Sequence, residues 1–233
     1  MRCLAIETSG RLGSVALVEH GNAIAEQGFS HGLKHAAGLL PLIAGMMQPL
    51  GWSPTDLQEL YVSQGPGSFT GLRIGITLAK TLSFTTGARI VPVPSLQVLA
   101  YNAPAEAAGV VCVLDAKRDQ IFTARYERSA GEWNEREPAH LDSLAHMLSR
   151  SPRPVHLIGE GIPYHTKFIP PDQTGIIVTP AASWNARAAA VAMLGIRLAR
   201  QGVFVQADDF TPAYVRIPEA EEKYNLQHPA ADS

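Results

Sequence analysis

The sequence is poor in cysteine and has no cluster of basic residues. Its 233 residues include two cysteines, Cys3 and Cys112, which form neither a CxxC pair nor a Cys/His zinc spacing. Both lie in strand-like runs, so we expect reduced core thiols of a cytosolic protein. The net charge is −2. Because a protein that binds RNA on its own normally carries a basic stripe, the sequence disfavours an independent nucleic-acid binder.

Long apolar runs are also missing. No stretch approaches the ~18 residues that a membrane-spanning helix requires, and Glu7 interrupts the first apolar run too early for the core of a signal peptide. With 46% hydrophobic and 17% charged residues, the composition is that of an ordinary globular chain. We therefore expect a cytoplasmic protein that does not associate with a membrane.

The phosphate-binding and nucleophile motifs of common enzymes are incomplete. The segment 65–75, GPGSFTGLRIG, is a glycine-rich turn before a predicted helix, a place where phosphate often binds. No lysine follows at the P-loop spacing, and Thr70 stands where a dinucleotide-binding motif requires glycine. No GxSxG nucleophile elbow occurs either. The turn is therefore predicted to start a helix rather than to hold a phosphate.

The sequence contains one order of elements twice. In the first half, the patterns predict strands over 2–8, 14–20 and 23–29, a helix over 31–47, a strand near 60–63, a helix over 70–85, a strand over 89–93 and a helix from 95. In the second half, they predict strands over 110–114, 121–127 and 132–137, a helix over 141–149, a strand over 155–158, a short helical stretch, a strand over 176–178 and a helix over 185–200.

Both halves thus follow the order βββαβαβα, which predicts an α/β fold with two mixed sheets covered by helices. We place the N-terminal half at 1–104, the C-terminal half at 105–217 and a charged tail at 218–233. The duplication resembles the ribonuclease H-like superfamily of actin, sugar kinases and heat-shock chaperones. That resemblance implies a nucleotide site in the cleft between the halves, with phosphates held by the first hairpin of each half.

Two acidic residues occupy equivalent places in these hairpins. Glu7 and Asp115 each end the first strand of a half, and paired carboxylates can hold a magnesium ion through water. Alternatively, each acid accepts hydrogen bonds from N–H groups of its own turn. Glu7 stands where the superfamily has aspartate, so nucleotide binding is expected to be weak. The candidate nucleotide-binding residues are Glu7, Thr8, Ser9 and Asp115.

Four segments resemble the TsaB family, also called YeaZ: LAIETSGRLGSVAL, HxxGLLPLI over 35–43, GPGSFTGLRIGITLAK and VLDAKRDQIFTARY. The resemblance implies a subunit of the bacterial machinery that installs threonylcarbamoyl on the adenosine next to the tRNA anticodon. It implies a non-catalytic chain that binds a catalytic sister called TsaD and an ATPase called TsaE. The chain would require no cofactor, ATP would be used by the complex, and tRNA would be reached only through the complex.

The resemblance also implies a partner surface on the first two helices. Gly71, Gly75 and Ala79 recur every four positions and share a helix face, and such a ridge lets another helix approach closely. Packing against the chain's own sheet is the alternative. In the isolated chain, the same surface would form a homodimer. The candidate interface residues are His35, Leu39, Ile43, Gly71, Leu72, Gly75 and Ala79.

No metal site is expected. His31 and His35 share a helix face at a spacing that can ligate zinc, but no glutamate of an HExxH motif lies between them. The catalytic sister of the family binds metal through an HxxxH motif, and the matching positions here are Ser95 and Leu99. A free-standing ATP-dependent phosphotransferase remains the alternative function, supported by Glu7 and Asp115. A metallopeptidase rests only on an old "glycoprotease" label of the family.

Overall fold

The structure, a computed structural model, describes residues 1–30, 35–172 and 174–216, with side chains for all of these except 35–37. The predicted start of the first helix at His31 and the predicted tail at 218–233 lie outside these residues. Within them, none of the helices is long and apolar enough to cross a membrane.

The order βββαβαβα is confirmed in both halves. The elements of the first half are β1 (Arg2–Glu7), β2 (Leu12–Glu19), β3 (Asn22–Ser30), α1 (His35–Met47), β4 (Leu57–Gly65), α2 (Phe69–Thr86), β5 (Arg89–Pro94) and α3 (Ser95–Ala100). Those of the second half are β6 (Gly109–Asp115), β7 (Ile121–Ser129), β8 (Glu132–Asp142), α4 (Leu144–Arg150), β9 (Val155–Ile158), α5 (Ile162–His165), β10 (Ile176–Val178) and α6 (Ala188–Arg200).

Local signals explain where the main helices begin and end. The Ser68 side chain accepts a hydrogen bond from the Gly71 N–H and so caps the start of α2, and Gly87 ends that helix in the left-handed conformation. The helix predicted over 141–149 begins only at Leu144, because β8 continues to Asp142 and Ser143 supplies the cap. Serine caps and glycine stops therefore set these boundaries.

The two sheets have the same topology. The first has the order β3-β2-β1-β4-β5 and the second has β10-β9-β6-β7-β8. The central strands are β1 and β6. They pair antiparallel with β2 and β7, respectively, and parallel with β4 and β9. The central strands β1 and β6 are covered on both faces, which explains their nearly continuous apolar sequence.

The last helix of each half packs on the sheet of the other half. Helices α1 and α2 cover one face of the first sheet, and α6 covers its other face. Helix α3, in turn, packs on β6, β7 and β8 of the second sheet. Gly195 of α6 lies so close to β4 that an added Cβ would be 2.4 Å from the Tyr61 ring. Each sheet is thus covered on one face by a helix that the other half supplies.

Candidate functional site

A cleft of about 520 Å³ lies between the two halves. The β1–β2 turn lines it with Ser9 and Arg11, the β6–β7 turn lines it with residues 114–117, and the start of α2 lines it with residues 67–69. Glu160, which follows β9, completes this part of the wall. Both first hairpins therefore reach the cleft, as the superfamily resemblance implies.

Glu7 does not present its carboxylate to this cleft. Its side chain is 0% exposed and accepts hydrogen bonds from the Ser9 N–H at 2.6 Å, the Ser9 hydroxyl at 2.5 Å and the Ser63 hydroxyl. Burial raises the pKa of the Glu7 carboxyl above its ordinary value, although the donors of Ser63 and Ser9 oppose that increase. The carboxylate therefore holds the β1–β2 turn against β4 inside the first half.

Thr8 lies against the small-residue face of α2. A Cβ added at Gly71 would be 2.0 Å from the Thr8 carbonyl oxygen, and one added at Gly75 would be 2.3 Å from Thr8 Oγ1. Thr8 itself is buried. The two glycines therefore allow the end of β1 to approach α2 more closely than any side chain would permit.

Asp115 lines the cleft and is held by groups of the second half. Its carboxylate accepts hydrogen bonds from Lys117 Nζ at 2.9 Å and the Lys117 N–H at 3.2 Å, and His165 Nε2 lies 3.2 Å away. Burial acts to raise the pKa of Asp115, but the Lys117 ammonium, the backbone N–H and His165 outweigh it and hold that pKa below its ordinary value. The pKa of Glu7 is thus raised, whereas that of the equivalent acid Asp115 is lowered.

Glu160 joins the two halves across the cleft. Its Oε2 accepts a hydrogen bond of 2.8 Å from the Arg11 N–H on the β1–β2 turn. Burial raises the pKa of the Glu160 carboxyl, and Arg11 opposes that increase. This contact joins residues 149 positions apart, so it fixes how the first hairpin of one half sits against the second half.

The segment 211–216, which we call the strap, contributes residues 213–216 to the remaining wall of the cleft. It runs from the first half to the β6–β7 turn, where the Arg216 guanidinium donates to the Ala116 carbonyl oxygen at 2.7 Å and to Gln120 Oε1 at 2.9 Å. At the start of α2, the Tyr214 ring stacks on the Phe69 ring with centroids 5.3 Å apart.

An apolar groove of about 480 Å³ lies between α1 and α2. Leu39 and Leu78 are buried at its base, whereas Leu40 is 51% exposed and Phe69 is 37% exposed. Arg73 also lines the groove, and its guanidinium carbon lies 3.9 Å from the centroid of the Phe69 ring. We call this surface the α1–α2 groove. Leu40 and part of the Phe69 ring are exposed to solvent in this groove.

Three comparisons with known proteins identify the family. A family model described as "TsaD: tRNA N6-adenosine threonylcarbamoyltransferase" matches residues 31–223. The chain is 32% identical over 229 residues to the tRNA threonylcarbamoyladenosine biosynthesis protein TsaB of Bacillus subtilis, covering 96% of this chain and 98% of that protein. The chain belongs to the TsaB family.

Further relatives agree with this assignment. The TsaB protein of Escherichia coli is 34% identical over 140 residues, which span 59% of this chain and 60% of that protein. The structure of YeaZ from Pseudomonas aeruginosa superposes with a TM-score of 0.78 at 25% identity, covering 91% of this chain and 99% of that one. The predicted family and the predicted role in tRNA threonylcarbamoyladenosine biosynthesis are therefore confirmed.

The structure shows where the candidate partner residues of this TsaB-family chain lie. The small-residue face of α2 packs against Thr8 of the same chain, because the turn after β1 needs that close approach. Of the expected interface side chains, those of Leu39, Ile43, Leu72 and Ala79 are all at most 4% exposed. His35 begins α1, and its side chain lies outside the described residues. The exposed apolar surface on these helices is instead the α1–α2 groove, with Leu40 and Phe69.

The positions of the sister's metal ligands have structural roles here. Ser95 is buried, and its Oγ accepts a hydrogen bond of 3.0 Å from the Gly65 N–H. Leu99 is buried in the core of the second half. Among the residues that the structure describes, no group of three His, Cys, Asp or Glu side chains is placed to hold a metal. His31 lies outside those residues.

Sequence reasoning missed Tyr214 and Arg216, which line the cleft, and His165, which is buried behind Asp115. His165 meets Asp115 only because α5 returns beneath the β6–β7 turn, and a lone histidine at that position carries no local signal. The strap carries a weak local signal, since the sequence of residues 213–216, AYVR, is strand-like. Nothing in that pattern indicates that the segment crosses back to the second half.

Proposed function

We propose that this chain is the non-catalytic partner subunit of the complex that transfers threonylcarbamoyl to the adenosine next to the tRNA anticodon. It binds a TsaD-like catalytic subunit through the α1–α2 groove and supports a TsaE-like ATPase in the same complex. ATP is used by the complex, this chain requires no cofactor, and tRNA is bound only through the complex. The observation that carries the proposal is an uncovered apolar groove on a chain of the TsaB family.

The groove has the properties of a helix-binding surface. Leu40 and Phe69 are exposed beside a buried aliphatic base. Burying the exposed part of either side chain on association contributes a fraction of the about 1.5–3 kcal/mol of a full burial. The partner family is described by a model that matches 193 residues of this chain, from 31 to 223, so a TsaD-like subunit presents helices of the same kind. A pair of related helices can meet such a groove in a pseudo-two-fold arrangement. In the isolated chain, the same groove pairs with a second copy.

The site residues support a non-catalytic role. Glu7 is bound by three donors of its own half, and releasing its carboxylate into the cleft would leave those buried donors without partners. The Ser95 hydroxyl accepts a hydrogen bond from a backbone N–H, and Leu99 packs in the core. These structural contacts support a non-catalytic role for the chain.

A phosphotransferase is the second candidate, favoured by Asp115. This acid lines the cleft beside Lys117 and is held in its charged form. Calorimetric titration of the isolated chain with ATP and magnesium distinguishes the two functions. We expect no micromolar binding. Micromolar binding that Asp115→Asn abolishes would favour the phosphotransferase.

The groove is tested by Leu40→Glu, which places a charge on the apolar surface. Met193→Glu on α6 is the matched control, because Met193 is 49% exposed and lies on the opposite face of the first sheet. We expect Leu40→Glu to weaken binding of the TsaD-like subunit at least tenfold (about 1.4 kcal/mol), to abolish the homodimer in sedimentation and to reduce threonylcarbamoyl transfer by the reconstituted complex. A correctly folded Leu40→Glu chain that binds and supports transfer like the wild type would disprove this surface.

A further inference from the structure

Phe69 belongs to two cavities. Its side chain lines both the cleft between the halves and the α1–α2 groove. Any contact that fixes this ring therefore shapes a wall of the groove from the cleft side. Arg73, one turn further along α2, also lines the groove.

The strap holds both of these residues. The Tyr214 ring stacks on Phe69 with an interplanar angle of 25°, and the Tyr214 hydroxyl accepts a hydrogen bond of 3.1 Å from Arg73 Nε. The Arg73 guanidinium in turn lies over the Phe69 ring. Phe69, Arg73 and Tyr214 thus form a three-residue cluster in which each side chain contacts the other two. We call it the rim cluster.

The strap is anchored to both halves. The Ala213 N–H donates to the Gln64 carbonyl oxygen at 2.9 Å, and Gln64 Nε2 donates to the Thr211 carbonyl oxygen at 3.1 Å. Phe210, immediately before the strap, is buried in the core of the first half. At the other end, Arg216 donates to the β6–β7 turn of the second half. The position of Tyr214 therefore depends on contacts with both sheets.

We propose that the strap is a positioning element of the partner surface, in which Tyr214 fixes Phe69 and Arg73 and Arg216 ties this arrangement to the second half. The inference rests on the proposed function. Ordering rotamer-rich side chains at an interface opposes binding. Because the rim cluster orders Phe69 and Arg73 before the partner arrives, the strap raises the affinity of a groove that it does not itself line.

The test compares strap variants in binding of the TsaD-like subunit by calorimetry. Tyr214→Ala removes the stacking and the hydrogen bond, and we expect affinity to fall on the order of tenfold. Tyr214→Phe keeps the stacking but loses the hydrogen bond from Arg73, so it should recover only part of that loss. Arg216→Ala should also weaken binding, but by a smaller factor than Tyr214→Ala. Ile177→Ala, which changes an exposed side chain on strand β10 of the second half, should leave affinity unchanged.

A double-mutant cycle separates positioning from stability. If Tyr214 acts through Arg73, the effects of Tyr214→Ala and Arg73→Ala on affinity should be clearly less than additive. Additive effects, or wild-type binding by a folded Tyr214→Ala chain while Leu40→Glu weakens binding as expected, would overturn the inference and leave the proposed function intact. Wild-type binding by Leu40→Glu would overturn both. If Tyr214→Ala does not fold, unchanged affinity in Arg216→Ala would reject the tie to the second half.

Discussion

At the scale of single residues, the two acids that end β1 and β6 show how one sequence position can serve different purposes. Asp115 lies at the cleft wall with a lysine and a histidine beside it. Glu7 is longer by one methylene, turns back into its own half and meets the hydroxyls of Ser9 and Ser63. The sequence places both residues at strand ends, but only the packing decides which carboxylate reaches the cleft.

The environment of Glu7 predicts a pH-dependent stability. Its pKa is raised in the folded protein, so the folded state binds a proton more readily than the unfolded state does. Stability from this group is present at low pH and is lost as pH rises from the ordinary glutamate pKa through the raised one. Glu7→Gln keeps an acceptor for Ser9 and can donate a hydrogen bond to Ser63, but it does not titrate. Its stability should therefore not fall as pH rises through this range.

Urea unfolding of the wild type and Glu7→Gln at several pH values measures the difference. The free energy of unfolding of Glu7→Gln relative to the wild type should increase as pH rises through this range. A constant difference between Glu7→Gln and the wild type at all pH values would contradict the prediction.

At the scale of elements, the two sides of helix α2 have different neighbours. Its small face packs on the end of β1, and its other side borders the α1–α2 groove. The spacing of Gly71, Gly75 and Ala79 predicts correctly that a close neighbour lies on that face. It does not predict whether the neighbour is another chain or a strand of the same chain, because both need the same absence of side chains.

The small face gives a stability prediction. Gly71→Ala should lower the free energy of unfolding by about 1–3 kcal/mol, because the new Cβ would press on a backbone oxygen that cannot move freely. Gly45→Ala in α1 is the control, since a Cβ there meets no atom within 4 Å. That change should stabilise the chain by up to about 1 kcal/mol through helix propensity. Equal effects of the two substitutions in urea unfolding would contradict this account of α2.

Other parts of the fold follow from the sequence to different degrees. The element order is predictable because apolar periodicity, Gly-rich turns and serine caps act locally, as at Ser68 and Gly87. The arrangement of the cleft is less predictable from the sequence. The contact between Arg11 and Glu160 spans 149 positions, and the strap reaches the second half only after α6 has returned to the first sheet. Such contacts depend on how the two sheets are placed, and no local pattern carries that information.

At the scale of the whole molecule, the exchange of helices binds the halves together. Helix α6 covers one face of the first sheet and α3 covers one face of the second. The contacts between the halves include the hydrogen bond from Arg11 to Glu160 and that of Asn102 Nδ2 to the Asn185 carbonyl oxygen at 2.6 Å. Removing either half would uncover a large apolar face of the other, so neither sheet is complete alone.

This arrangement predicts that the two halves unfold in one transition. The three tryptophans allow a test, because Trp52 lies in the core of the first half and Trp133 in that of the second. One variant, Trp133→Phe with Trp184→Phe, keeps only Trp52, and another, Trp52→Phe with Trp184→Phe, keeps only Trp133. In each variant, tryptophan fluorescence reports one half, whereas far-UV circular dichroism reports both. The two signals should change at the same urea concentration within each variant. A fluorescence transition that clearly precedes the circular dichroism transition in either variant would show that one half unfolds alone, and that the exchanged helices do not couple the sheets.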